Sequence, residues 1–198
     1  MNKIMTNDSF SQVLKKRLFA AVMISAENCP KLIAFSKKIK KTFGQHEIDV
    51  RWVSPQNWHI TVWFFGDAVV DIKKIHQALK KVAEETSAFD LDIKGAGAFP
   101  DELAARIIWA GAATTKELRT LHNKVGAALN LTDDYEKFMA HITLGRLRNQ
   151  HSVKKIISPF LRQKLDKIIV GELVLIESQM QNYGSAYNVL ERYPLTSK

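Results

Sequence analysis

Apolar positions along the chain recur either at every second residue or at every third to fourth, and these two periods divide it into strands and helices. Arg17 to Ile24 is a compact apolar run that predicts a buried strand. Pro30 suits a first helical position, and Leu32, Ile33, Phe35, Ile39 and Phe43 follow at near-helical spacing until Gly44 ends the helix. Val50 to Val53 is short and β-prone, and Ser54 to Asn57 turns around Pro55. Trp58 to Phe65 is a strong strand that stops at Gly66-Asp67. Alternation on that strand places His59, Thr61 and Trp63 on one face and Trp58, Ile60, Val62 and Phe64 on the other.

Asp71 to Thr86 reads as an amphipathic helix with Ile72, Ile75, Leu79 and Val82 as its apolar stripe. Phe89 to Ile93 predicts a half-exposed strand, which Gly95, Gly97 and Pro100 then break. Arg106 to Gly111 is another strand, and a helix from Thr114 to Leu129 presents Leu118, Leu121, Val125 and Leu129. After the turn Thr132-Asp133-Asp134 comes a strand over Phe138 to Leu144. His151 to Leu161 is helical up to Ser158-Pro159, Lys167 to Ser178 predicts one long strand, and Ala186 to Tyr193 a closing one. Met1 to Lys16 reads as a loose tail or a short leading helix, leaving residues 17–198 as one domain. The expected fold is α+β, with two antiparallel-rich sheets and helices on their outside.

One tetrapeptide frame occurs twice on these strands. His59-Ile60-Thr61-Val62 is matched by His141-Ile142-Thr143-Leu144, and the two histidines stand 82 positions apart, about half of the chain beyond the tail. That spacing points to a duplicated domain with one histidine per half. Each histidine shares a strand face with its threonine, so each half offers a titratable ring beside a short hydroxyl. Two imidazoles with unperturbed pKa values around 6.5 are a minimal kit for acid and base work near neutrality. Phosphodiester cleavage uses both, one to deprotonate the attacking water or hydroxyl and one to protonate the leaving alkoxide. Thr61 and Thr143 are suitable donors to the charge that develops on the phosphate oxygens.

Composition narrows the partner. A formal charge of +9 over 198 residues favours RNA, DNA or a phosphate ester. The single Cys29 excludes a disulfide framework or a thiolate metal cluster, and its place before Pro30 suits a structural role. There is no HExxH, and neither histidine strand carries an adjacent carboxylate, so no metal is expected. Gly95-Ala96-Gly97 lacks the lysine and following helix of a phosphate loop and reads as a turn. The lysines at 31, 37, 38, 40 and 41 read as a solvated helix face, which beside a cleft could also steer RNA, while His76 reads as surface or packing and His122, beside a core stripe, as packing. No apolar run approaches the length of a membrane span, so a cytoplasmic protein is expected.

These residues resemble the 2H phosphoesterases, and within them the RNA 2′,3′-cyclic phosphodiesterases also called 2′-5′ RNA ligases. The resemblance runs from Arg17 to Leu195 and rests on both His-Ile-Thr segments, the Arg17-Leu-Phe-Ala-Ala strand, Arg106-Ile-Ile-Trp-Ala-Gly, and the tail from Ile176-Glu-Ser-Gln-Met to Leu195. It implies a bilobal fold with a phosphate-holding cleft between the lobes and no metal or nucleotide cofactor. It further implies hydrolysis of an RNA-terminal 2′,3′-cyclic phosphate to a 2′-phosphate, with His59 as proton donor and His141 as acceptor. Arg146, five residues after His141, matches an arginine that the family aims at the phosphate, although alternation alone puts it on the opposite face. A bend at Gly145, or the end of the strand, is needed to bring it round. Phe64 holds the corresponding place in the first copy, where an aromatic ring could stack on a base or equally pack in the core. Tyr187, in the family-like tail, is a candidate for the cleft wall. Met139-Ala140 replaces a histidine-proline pair that many relatives carry before the second motif.

The expected partners are RNA 3′ ends or small cyclic-phosphate nucleotides, with no membrane and no obligate protein partner. Two alternatives stand beside hydrolysis of RNA ends. One is an RNA-binding module without effective catalysis. The other is related chemistry, either 2′-5′ ligation or cleavage of another cyclic or 2′-5′ linked nucleotide.

Overall fold

The computed structural model describes residues 17–66, 71–132, 138–181 and 184–197. The tail Met1 to Lys16, Asp67 and the turn residues Asp133-Asp134 lie outside the described residues. In chain order the elements are β1 (Arg17–Met23), α1 (Pro30–Gln45), β2 (Val50–Trp52), β3 (His59–Gly66), α2 (Ile72–Glu84), β4 (Phe89–Phe99), β5 (Ala105–Ala112), α3 (Lys116–Ala128), β6 (His141–His151), α4 (Lys154–Ile157), β7 (Lys164–Val170), β8 (Glu172–Gln181) and β9 (Gly184–Pro194). The fold is α+β, as the alternating periods predict.

The strands follow one hydrogen-bonded order, β7-β4-β5-β6-β3-β1-β8-β9, with β2 added alongside β6. Where two sheets are expected, the structure has a single antiparallel path with a narrow waist. At that waist the two histidine strands, β3 and β6, pair only at Ile60 opposite Ile142. Helix α1 packs on the β7 side, while α2 and α3 pack on each other and on β8, β9 and β3. The core between sheet and helices includes Leu32, Phe35, Ile39 and Phe43 from α1, Leu79 and Val82 from α2, and Leu118, Leu121 and Val125 from α3. Each such side chain contributes about 1.5–3 kcal/mol on full burial. No helix among the described residues is long and apolar enough to cross a membrane.

Helix α1 illustrates how tertiary structure supplies what local sequence lacks. Its N-cap residue, Cys29, makes no capping hydrogen bond through its side chain. Asp166, on β7, accepts instead from the backbone N–H groups of Lys31 (3.3 Å) and Leu32 (2.7 Å). The carboxylate thereby satisfies two otherwise unpartnered donors and meets the positive end of the helix dipole. Burial, reinforced by the Asp166 charge, pushes the Cys29 thiol up to about 11, so it stays protonated and inert.

Two strand predictions need correction. Gly95 and Gly97 do not break the fourth strand, because β4 runs on to Phe99 through an irregularity between Ile93 and Ala96, with Gly95 at φ +74°. At Gly97 a Cβ would lie 2.1 Å from the Trp109 ring, so the missing side chain is what lets β5 pack there. The long strand expected over Lys167 to Ser178 is two strands, β7 and β8, separated at Gly171.

Candidate active site

The two histidine strands carry the same irregularity at the same place. On β1, Ala20 and Ala21 face Trp63 and Thr61, so Val62 is an extra residue on β3. On β5, Ile108 and Trp109 face Gly145 and Thr143, so Leu144 is an extra residue on β6. Each is a β-bulge at the fourth position of its His-Ile-Thr frame, and a bulge shifts the alternation of everything after it by one. Both strands accordingly run half-buried, buried, half-buried, buried, buried from the histidine onward.

The bulges settle where the fifth residues go. Arg146 comes round to the face of His141 and Thr143, and Phe64 to the face of His59 and Thr61. The strict alternation expected for β3 is therefore overturned at its end. Trp63 points into the core against α3, where a Cβ on Gly126 would meet its ring at 2.6 Å, and Phe64 is 58 % exposed. Gly145 is required for a different reason, since a Cβ there would lie 2.6 Å from Val50 Cγ1 and 2.9 Å from Trp52 Cε3. Its bare backbone lets β2 close onto β6.

All seven residues singled out from the sequence, His59, Thr61, Phe64, His141, Thr143, Arg146 and Tyr187, line one cleft of about 680 Å³. Beneath it the central isoleucines of the two motifs are fully buried and opposite each other. An antiparallel pairing centred there sets His59 next to Thr143 and Thr61 next to His141 on the cleft face. His59 Nδ1 donates to the Asn57 carbonyl at 2.7 Å, and His141 Nδ1 donates to the Met139 carbonyl at 2.8 Å. In each case the acceptor is two residues upstream. Because a carbonyl can only accept, the hydrogen of each neutral ring resides on Nδ1, leaving Nε2 free for chemistry.

Burial lowers the pKa of both rings and outweighs the opposing effect of their backbone hydrogen bonds. The Arg146 charge lowers both further, and the proximity of His141 adds to the lowering at His59. Three groups that attract negative charge thus sit within electrostatic reach of one another. No Asp or Glu lines the cleft among the described residues. Nor do any three His, Cys, Asp or Glu side chains among them gather in a way that could hold a metal ion.

Aromatic walls hold the two imidazoles. His59 lies 5.0 Å from Phe19 in a tilted arrangement and 5.0 Å from Tyr187 edge-on, while Phe19 also meets Phe64 at 5.3 Å. His141 meets Phe99 edge-on at 4.8 Å. Sequence reasoning missed Phe19 and Phe99. Phe19 is hidden inside a uniformly apolar strand, and Phe99 lies beyond the glycines taken to end its strand. Arg51, another lining residue, was also missed, although its position on the short strand ahead of the first motif was visible.

His122 is buried on α3, as its place beside an apolar stripe predicts, but it also supports the site. Its Nδ1 donates to the Val62 carbonyl within the β3 bulge at 2.7 Å, and its ring stacks on Phe138 at 4.3 Å. Phe138 directly precedes Met139, whose carbonyl holds His141. His122 therefore braces the backbone beside both motifs.

Comparison with known proteins supplies an independent frame. The sequence model of the 2′-5′ RNA ligase superfamily matches residues 52–181. A protein from Archaeoglobus fulgidus described as an RNA 2′,3′-cyclic phosphodiesterase is 29% identical over 178 residues, covering 88% of this chain and 97% of its own. One of the same description from Aquifex aeolicus is 25% identical, covering 81% and 89%. Among solved structures, apo LigT from E. coli superposes with a TM-score of 0.64 at 25% identity, covering 91% of this chain and 98% of its own. A protein from Thermus thermophilus shares the fold at a TM-score of 0.73 and 24% identity, covering 92% and 99%.

Proposed function

The chain belongs to the 2′-5′ RNA ligase superfamily of 2H phosphoesterases, and from that premise we propose that it hydrolyses the 2′,3′-cyclic phosphate at an RNA 3′ end to a 2′-phosphomonoester. The relatives described as RNA 2′,3′-cyclic phosphodiesterases support this substrate class. The observation that carries the reading is the matched suspension of two imidazoles, each fixed through Nδ1 to a carbonyl two residues upstream.

In this mechanism the cyclic phosphate sits between the two strands, with the Thr61 and Thr143 hydroxyls donating to its non-bridging oxygens and Arg146 balancing their charge. His141, neutral, accepts a proton at Nε2 from the attacking water as its oxygen bonds to phosphorus. The bond from phosphorus to O3′ breaks, and His59, protonated, delivers its Nε2 proton to O3′. The products are a 3′-hydroxyl and a 2′-phosphate, and the enzyme is left with the protonation states of the two rings exchanged. Exchange with solvent restores them. A 5′-hydroxyl of a second RNA in place of water gives a 2′-5′ linkage with the same proton movements, which is the ligation direction.

The same geometry supports reading the domain as two pseudo-symmetric lobes. β3 and β6 contribute equivalent half-sites through equivalent bulges, each flanked by its own set of strands, and the substrate phosphate occupies the junction. The protonated ring required for the acid step has a lowered pKa in the free enzyme. A bound phosphate anion reverses part of that shift by stabilising imidazolium.

The test is incubation of a short RNA ending in a 2′,3′-cyclic phosphate, with and without chelator, followed by identification of the phosphate isomer formed. A 2′-phosphate formed in chelator is the expected result. A 3′-phosphate product, strict metal dependence or no turnover contradicts the mechanism.

A further inference from the structure

We propose that Arg51, set opposite Arg146, forms a subsite for the phosphodiester on the 5′ side of the terminal nucleotide while Arg146 serves the cyclic phosphate, so that the cleft selects RNA ends over cyclic mononucleotides. The inference rests on the cleft being the cyclic-phosphate site.

Arg51 on β2 is directly opposite Arg146 on β6, and directly opposed residues of an antiparallel pair share a face. Both line the cleft. Like charges facing each other across a ladder are destabilising, and among the described residues no carboxylate neutralises either arginine. The adjacent cation on the same strand shows the contrast. Arg148, two residues further on, does not line the cleft and is paired with Asp49 at 2.8 Å. Two facing guanidinium groups, left without a counter-charge only where the strand borders the cleft, are arranged for an anionic ligand carrying more than one charge.

The geometry also says where each charge goes. β3 and β6 run antiparallel, so the residues following His59 and those following His141 leave the imidazoles in opposite directions. One end of the cleft therefore carries Phe64 with Phe19, and the other carries Arg146 and Arg51. Arg146 is the nearer cation to the rings, since its charge lowers the pKa of both. It serves the cyclic phosphate, whose one negative charge it balances. Arg51 lies one strand further out and is exposed. A mononucleoside cyclic phosphate has no second anion to give it, whereas an RNA end supplies one in the next phosphodiester.

The test compares kcat/KM on a mononucleoside 2′,3′-cyclic phosphate with kcat/KM on a trinucleotide ending in the same group, for the parent, Arg51→Gln and Arg51→Lys. The parent should prefer the trinucleotide, and Arg51→Gln should lower that preference about tenfold, the low end for a lost charge-assisted hydrogen bond, while leaving the mononucleotide rate unchanged. The salt dependence of the trinucleotide reaction, as log kcat/KM against log salt, should become shallower by about 0.7 in Arg51→Gln. Arg51→Lys should keep the slope. Equal losses on both substrates, or an unchanged preference, would overturn the subsite while leaving the cyclic-phosphate reading intact. A parent with no turnover on either substrate would overturn both.

Discussion

Arg146 should set the pH range of the reaction as well as its rate, because the β6 bulge brings its charge to the histidine face. Replacing it with glutamine removes a cationic hydrogen-bond donor from the reacting phosphate. Such a contact is worth about 1.5–3 kcal/mol, and at 1.36 kcal/mol per factor of ten the expected loss in kcat/KM is about 10- to 160-fold. The pH effect has a definite sign. A nearby positive charge disfavours imidazolium, and the Arg146 charge is among the causes that lower both His59 and His141. Removing it makes both rings easier to protonate, so both limbs of the bell in kcat/KM move to higher pH. Burial, the larger cause for both, is untouched, so the limbs stay below those of free imidazoles near 6.5. Arg146→Lys keeps the charge while losing the planar fork, so it should lower the rate with little movement of the limbs. The assay is initial-rate hydrolysis of an RNA-terminal cyclic phosphate from pH 4.5 to pH 9 at constant ionic strength. A loss under threefold, or stationary limbs in Arg146→Gln, would refute the placement of this side chain beside the rings.

Other substitutions report on the scaffold. His122→Leu strips the Val62 carbonyl of its donor and should cost about 1–3 kcal/mol in denaturant unfolding. His122→Asn, which keeps an N–H at that position, should recover part of the loss, and equal stability for parent and His122→Leu would contradict the brace. Gly145→Ala drives a methyl into Val50 and Trp52 and should cost about 1–3 kcal/mol. Gly44→Ala, with nothing within 4 Å of the new methyl and a helical environment, should stabilise by a few tenths to about 1 kcal/mol. A lower melting temperature for Gly44→Ala, or none of the expected loss for Gly145→Ala, would refute the packing argument. Asp166→Ala removes the remote cap of α1 and should cost about 0.5–2 kcal/mol, read as a lower denaturant midpoint; an unchanged midpoint would show that solvent caps the helix equally well.

Periodicity made the helices and most strands legible because each buries one face, and the duplicated His-Ile-Thr frame singled out the residues that meet in the candidate site. What it missed shares a cause. Alternation is a local rule, and it fails where the pairing partner imposes a bulge. Val62 and Leu144 look like ordinary apolar strand residues, and only the registers of β1 and β5 against them show that each is extra. Arg146 is therefore on the cleft face for a reason no single strand contains. Phe99 was lost because Gly97 reads as a breaker, whereas its missing side chain makes room for a tryptophan from the neighbouring strand. The cap on α1 comes from Asp166, 134 residues after Leu32, and no window of sequence spans that distance.

The division of labour between the two motifs is open to one measurement, the pH dependence of kcat/KM for the parent, His59→Ala and His141→Ala on an RNA-terminal 2′,3′-cyclic phosphate. The parent should give a bell. Each substitution should lower the maximum about 10²- to 10⁴-fold without altering the folded state seen by circular dichroism. His141→Ala should lose the acidic limb, which reports the base, and His59→Ala the alkaline limb, which reports the acid. Near-parental turnover in either variant, or a full bell surviving in both, would contradict two-histidine acid and base catalysis in this cleft.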